Sequence, residues 1–175
     1  LGKGEVERVP LCVDLARRPA ALFLATGVPA SIKGEPLLVD DRKFAIDLDE
    51  NCVAQLNCDS PGCRWATEFR DISWMKETEA FAQAVIREIT GQDAHGERPH
   101  RAGDYSFNNI GLSSLMMLSS TMKVEKREEM GYYAVGGCGG NIAWHTENDT
   151  IEIADRDIMV RDIKVYLGSV LRIAN

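Results

Sequence analysis

The sequence predicts an α/β fold, and three observations carry that prediction. From residue 42 onward, apolar runs of strand length alternate with stretches of helical period. The 175 residues are enough for one domain with a real core. The composition, 45% hydrophobic and 27% charged, is ordinary for a globular chain. The order helix, strand, helix, strand, loop, helix argues for a largely parallel sheet with helices on its faces.

Residues 1–41 are irregular. Ala20–Ala25 reads as a short buried strand or a helical turn, and Pro36–Val39 as another strand. Pro10, Pro19, Pro29 and Pro36 rule out a long helix there. Phe44–Glu50 has the pattern of a helical turn or two. Cys52–Cys58 then reads as a buried strand that ends on Asp59 and is closed by Ser60-Pro61-Gly62. A carboxylate just past the carboxyl end of a buried strand is a common functional position in open α/β sheets. The same Asp-Ser-Pro-Gly chemistry also suits a plain turn.

Residues 74–90 place Trp74, Phe81, Val85 and Ile89 on one side, with Ala84 beside them and charges elsewhere. This is an amphipathic helix with Ser73 as N-cap and Gly91 as its stop. Residues 92–109 read as a polar loop that gathers His95, Arg98, His100, Arg101 and Asp104. The run from Ile110 to Leu118 reads as a buried strand, and 119–135 as a charged excursion with a solvated Lys123–Glu129 face. Asp155 is placed to cap a terminal helix reaching about Ala174. Its apolar stripe is Met159, Ile163, Tyr166, Val170 and Ile173, with Leu167 and Leu171 beside it.

The formal charge of −7 leaves no basic face to neutralise phosphates, which argues against nucleic acid. No run approaches the ~18 apolar residues of a membrane span. The chain opens on Leu1 without a signal-peptide pattern, which suits a processed or partial chain and leaves the compartment open. The five cysteines, Cys12, Cys52, Cys58, Cys63 and Cys138, are odd in number and lack zinc-ribbon spacing. They read as mostly reduced or buried thiols.

The stretch richest in chemistry is 136–150. Four glycines in five residues, 136–140, let the backbone approach other groups closely. An imidazole, His145, follows directly on Trp144. Histidine is the commonest metal ligand and the usual acid–base group near neutral pH, although a satisfied surface histidine fits the pattern equally.

Three separated blocks line up with one family. They are Asn57-Cys58-Asp59-Ser60, Gly103-Asp104-Tyr105-Ser106-Phe107 with Ile110-Gly111, and Trp144-His145-Thr146 with Asp149-Thr150. The chain from about Phe44 to Asn175 resembles the zinc-dependent aminopeptidase and glutamate-carboxypeptidase family, whose fold the transferrin receptor also uses. The resemblance implies a three-layer α/β sandwich with a mixed, mostly parallel central sheet, here incomplete. It divides the chain into a poorly matched segment, 1–41, read as a remnant of an accessory domain, and a peptidase-like part, 42–175. It also implies two zinc ions and a peptide substrate. Asp59 and His145 fall at zinc-ligand positions, Asp104 and Phe107 near the substrate, and Asp149 and Thr150 where they would orient the histidine. Zinc accepts such donors, and two metals can share a hydroxide and polarise a peptide carbonyl.

The sequence departs from the family in one respect. The family needs a His-x-Asp strand end, a bridging Asp and a Glu-Glu pair ahead of the Asp59 position. Nothing between Leu1 and Asn57 fits, and no histidine precedes His95. Catalytic residues are therefore unassigned. The two readings are an exopeptidase-like domain with part of its site in this chain, and a non-catalytic scaffold or interaction module. A weaker third option is a metal held by His95 and His100 with a cysteine. A homo-oligomer is left open.

Overall fold

The strand Cys52–Cys58 is the one around which the sheet is assembled. The computed structural model describes residues 21–26, 52–98, 107–108, 111–116, 118–133 and 142–175. Its strands are β1 (Ala21–Thr26), β2 (Cys52–Cys58), β3 (Ala66–Trp74), β4 (Ala94–Glu97), β5 (Ser114–Met116) and β6 (Thr121–Met122). Its helices are α1 (Glu79–Thr90), α2 (Val124–Glu129) and α3 (Arg156–Ala174), with single 3-10 turns at Lys76–Thr78 and Ile151–Ile153.

The strand order is β1-β2-β5-β3-β4, with β6 paired to β3 off that path. The β1–β2, β2–β5 and β3–β4 pairings are parallel, and β3 runs antiparallel to β5 and β6. This is the expected α/β class, with a mixed, mostly parallel sheet that does not close, as in an incomplete sandwich. Of the two readings of Ala20–Ala25, the strand is the observed one, and it adds β1 to the same sheet from Ala21 to Thr26. The expected elements at Pro36–Val39 and Phe44–Glu50 lie outside the described residues.

β2 lies inside the sheet between β1 and β5, and past Val53 both of its faces are covered. Ala54, Gln55, Leu56 and Asn57 are all buried, which is why the strand reads as a continuous run rather than an alternation. Leu56, Phe69, Ile72, Leu115 and Leu118 pack with Ile86 and Val165 in one core. Fully burying side chains of this size contributes about 1.5–3 kcal/mol each.

Two expectations between residues 66 and 97 need correction. The helix begins at Glu79 behind Thr78, and Ser73 belongs to β3. Trp74 closes that strand, 2% exposed. Ala66, Phe69, Ile72 and Trp74 are the buried positions of β3, and this spacing is neither strand-like nor helical. Irregularities in the pairing between Ala66 and Glu68 and between Phe69 and Ile72 account for it, since an extra residue shifts which side chains face inward. The second correction concerns 92–109, which contains β4. This strand is last in the described order and exposes His95 and Glu97, so polar residues are tolerated there.

α1 stops as expected. Gly91 takes φ +72 and donates its N–H to the Arg87 carbonyl at 2.8 Å. Ala82, Val85 and Ile86 form its buried face, whereas Ala84 is exposed. The strand expected across Ile110–Leu118 is shorter, confined to Ser114–Met116, although Leu112 and Leu118 are buried beyond its ends. The Lys123–Glu129 run is largely α2, which buries no residue, as expected of a solvated face.

α3 begins as expected. The Asp155 carboxylate accepts the N–H groups of Asp157 and Ile158, both at 3.0 Å. Its inward face keeps part of the expected stripe, since Tyr166 is buried and Val170 and Ile173 pack against the core, but Ile163, Leu167 and Leu171 do not belong to it. Asp162, Val165, Tyr166 and Ser169 are buried, while Ile163, Leu167 and Leu171 are 40%, 56% and 63% exposed. The helix packs on α1 through Gly168, where an added Cβ would run into Ile89. Arg172 and Glu88 pair across the same contact. Among the described residues, no helix is long and apolar enough to cross a membrane.

Candidate functional site

β2 delivers Asp59 to the carboxyl end of the sheet. The residue is half-buried, and its Oδ1 accepts the Ser60 hydroxyl at 3.0 Å. The chain then turns tightly, with φ +49 at Ser60 and φ +79 at Gly62. Glycine is required at the second position for two reasons. The positive φ suits it, and a Cβ there would sit 2.7 Å from Cβ of Met159 in α3.

The turn is held from several directions. The Asp59 carbonyl accepts the Ser119 hydroxyl at 2.6 Å. The Gly62 N–H donates to Asp162 Oδ2 at 2.9 Å, and the Gly62 carbonyl accepts the Asp155 N–H at 2.9 Å. Arg64 N–H donates to the Ile153 carbonyl at 2.7 Å, beside an antiparallel bridge between Cys63 and Ala154. The segment that leads into α3 is thus docked directly on the Asp59 turn.

His145 sits on a chain of local turns. Ala143 is buried, and its carbonyl accepts both the Thr146 N–H (2.9 Å) and the Thr146 hydroxyl (2.6 Å). The Asp149 N–H then donates to the Thr146 carbonyl at 3.1 Å. His145 takes φ +57, a conformation uncommon for a residue with a side chain. Its ring is stacked on Trp144 with centroids 3.7 Å apart and planes 13° from parallel, and it is exposed. The Thr150 hydroxyl donates to Glu152 and thereby holds that exposed carboxyl below its usual range.

The first and third sequence blocks meet at a shallow pocket of 170 Å³. Ser60 to Cys63 border it on one side, and Trp144, Asp149 and Thr150 on another. Asp59 and His145 flank these segments without lining the pocket. Phe107 is half-buried, and its carbonyl accepts the Leu112 N–H at 3.1 Å just before β5. β5 runs parallel to β2 with Met116 opposite Asn57, so its carboxyl end lies beside the end that carries Asp59. Asp104, the 136–140 glycines and His100 lie outside the described residues.

The donors at hand suit zinc in kind and fall short in number. A carboxylate and an imidazole are ordinary zinc ligands, but a site needs three or four protein donors. Among the described residues, no three His, Cys, Asp or Glu side chains gather to hold a metal. The nearby thiols do not make up the number. Burial pushes Cys58 and Cys63 up to about 11, aided by Asp59 and Asp162 at Cys58 and by Asp149 and Asp162 at Cys63. In the metal-free chain both therefore favour the protonated thiol.

The sequence reading missed a buried polar group behind this site. Asp162, Ser119 and Ser120 are at most 1% exposed, and Ser119 lies 2.9 Å from the Tyr166 hydroxyl. The signal was present in α3, where an aspartate stands one turn before Tyr166 on the face that also carries Val165.

No protein-family model and no curated protein matches this sequence. Solved structures do match the fold. The aminopeptidase from Aneurinibacillus sp. strain AM-1 is 15% identical, with a TM-score of 0.51 over 79% of this chain and 30% of its own. Legionella LapA is 11% identical, with a TM-score of 0.53 over 78% of this chain and 36% of its own. BSAP, a zinc aminopeptidase from Bacillus subtilis, is 15% identical, with a TM-score of 0.51 over 78% and 32%. Glutaminyl cyclases match at a TM-score of 0.49. The likeness is one of fold, and this chain spans about a third of the length of the three aminopeptidase-fold proteins.

Proposed function

We propose that this chain is part of a zinc exopeptidase-like domain that hydrolyses terminal peptide bonds. In this reading Asp59 and His145 are metal ligands on one wall of the site, and the remaining ligands come from outside the described residues. Asp104 and Phe107 serve the substrate side, and Asp149 and Thr150 orient the histidine. The observation that carries the reading is the shared pocket. Segments that flank Asp59 and His145, 86 positions apart (145 − 59), border one concavity near the carboxyl end of β2. That end of an open α/β sheet is where ligands bind. The fold shared with a zinc aminopeptidase supports it further.

A second reading is a scaffold that keeps the peptidase fold without its metals. It is favoured by the lack of any three-ligand cluster among the described residues. Zinc titration of the purified chain, followed by elemental analysis, separates the two. The exopeptidase reading expects zinc uptake that falls about tenfold or more in His145→Ala and in Asp59→Asn. Uptake unchanged in both variants, or no uptake with folding indifferent to chelator, would leave the scaffold.

A further inference from the structure

Asp162 is fully buried in the middle of α3, and the proposed chemistry gives it no part. Its Oδ2 accepts two hydrogen bonds, from the Gly62 N–H at 2.9 Å and from the Ser120 hydroxyl at 3.0 Å. Its Oδ1 faces Arg161 Nε at 3.7 Å, too far for a hydrogen bond. The Arg161 guanidinium is engaged elsewhere, donating to the Ala66 carbonyl at 2.8 Å and lying 5.5 Å over the Phe69 ring. One turn further along α3, the Tyr166 hydroxyl meets Ser119, which donates to the Asp59 carbonyl. α3 therefore grips the turn at both ends, at the Asp59 carbonyl through Ser119 and at the Gly62 N–H through Asp162.

A carboxylate on the buried face of a helix is a poor choice for stability. Taking it out of water carries a penalty that its hydrogen bonds from Gly62 and Ser120 and the neighbouring Arg161 guanidinium offset only in part, and the carboxyl's raised pKa follows from that burial. What Asp162 does supply is direction, because both of its hydrogen bonds end on segments adjoining Asp59. We propose that Asp162 is a positioning residue, which with Ser119 and Ser120 locks the Asp59–Gly62 turn onto α3 and so aims the Asp59 carboxylate. The aiming role rests on the reading of Asp59 as a metal ligand, whereas the clamp itself does not.

Amide hydrogen exchange and zinc titration of Asp162→Ala, which leaves no acceptor for the Gly62 N–H, test the two parts separately, with Ser120→Ala as a milder variant should the first not fold. We expect the Gly62 N–H to exchange about tenfold faster or more while the Val85 and Ile86 amides of α1 keep their protection. We also expect zinc affinity to fall about tenfold or more in the same folded variant. Unchanged Gly62 exchange, or a uniform acceleration at every amide, overturns the clamp. Fast Gly62 exchange with unchanged zinc affinity overturns the aiming role. A wild-type chain that takes up no zinc removes Asp59 as a ligand and the aiming role with it, and Gly62 exchange still shows whether the clamp exists.

Discussion

Cys58 and Cys63 bracket the Asp59 turn, and the two thiols report on how dry its underside is. Burial is the largest influence on both and acts with nearby carboxylates in the same direction, up to about 11. At pH 8 a thiol of pKa 11 is ionised about 100-fold less than one at the ordinary 9.0, and the thiolate is the reactive form. Alkylation of both cysteines in the native chain is therefore expected to run about 100-fold slower than in urea-unfolded chain at the same pH. Mass spectrometry of time points resolves the two sites. Native-state rates near the unfolded rate would mean that the turn is open to water and that its hydrogen bonds to α3 are not maintained.

At the level of elements, α3 ties the Asp59 turn to the fold, and its N-terminus is where the tie is fastened. The Asp155 side chain caps the helix while its backbone N–H holds the Gly62 carbonyl. Asp155→Ala removes the side-chain cap and keeps the backbone bond. It is expected to lower stability by about 1 kcal/mol, read as a shift in the urea midpoint at unchanged slope. A change below a few tenths would show that the cap is dispensable. α3 was legible in the sequence because a cap, a helical period and a length of several turns are all local properties. β3 was not, because its pairing irregularities break the alternation that marks a strand. β4 was hidden by its polar edge position. Asp59 and His145 stood out as parts of short local words. Asp162 did not, because its importance comes from Gly62, 100 positions away. The outward placement of Leu167 and Leu171 was also beyond local reading, since it depends on which face of α3 packs against α1, with Gly168 at the close approach.

Across the whole molecule, these contacts make the stability of the fold depend on the same carboxylate that holds the Gly62 turn. β2, β5 and β3 form the middle of the sheet, Ser119 and Ser120 follow β5, and α3 closes over them. Asp162 lies at that junction. Its burial raises its pKa above the ordinary aspartate value of 3.8, against the lowering effect of the Gly62 and Ser120 hydrogen bonds and of Arg161. The folded carboxyl thus keeps its proton at pH values where the unfolded one has lost it. In that window the folded state binds more protons, so stability falls as pH rises from about 3.8. The contribution is fully present below the unfolded value and is lost once pH passes the raised folded value. Asp162→Asn cannot titrate, so the wild type should lose ground to it from pH 4 upward and the gap should level off only once pH passes the raised folded value. Glu152 shifts the opposite way, but it is exposed and identical in both proteins, so it cancels from the difference. Paired urea denaturation curves from pH 4 to 7 measure the gap directly. A gap that stays flat would show that folding does not disfavour the charged carboxylate, and one that widens in favour of the wild type as pH rises would show that the folded state stabilises it. Asp162 would then be an ordinary stabilising contact, and the argument that it is kept for position at the expense of stability would fail.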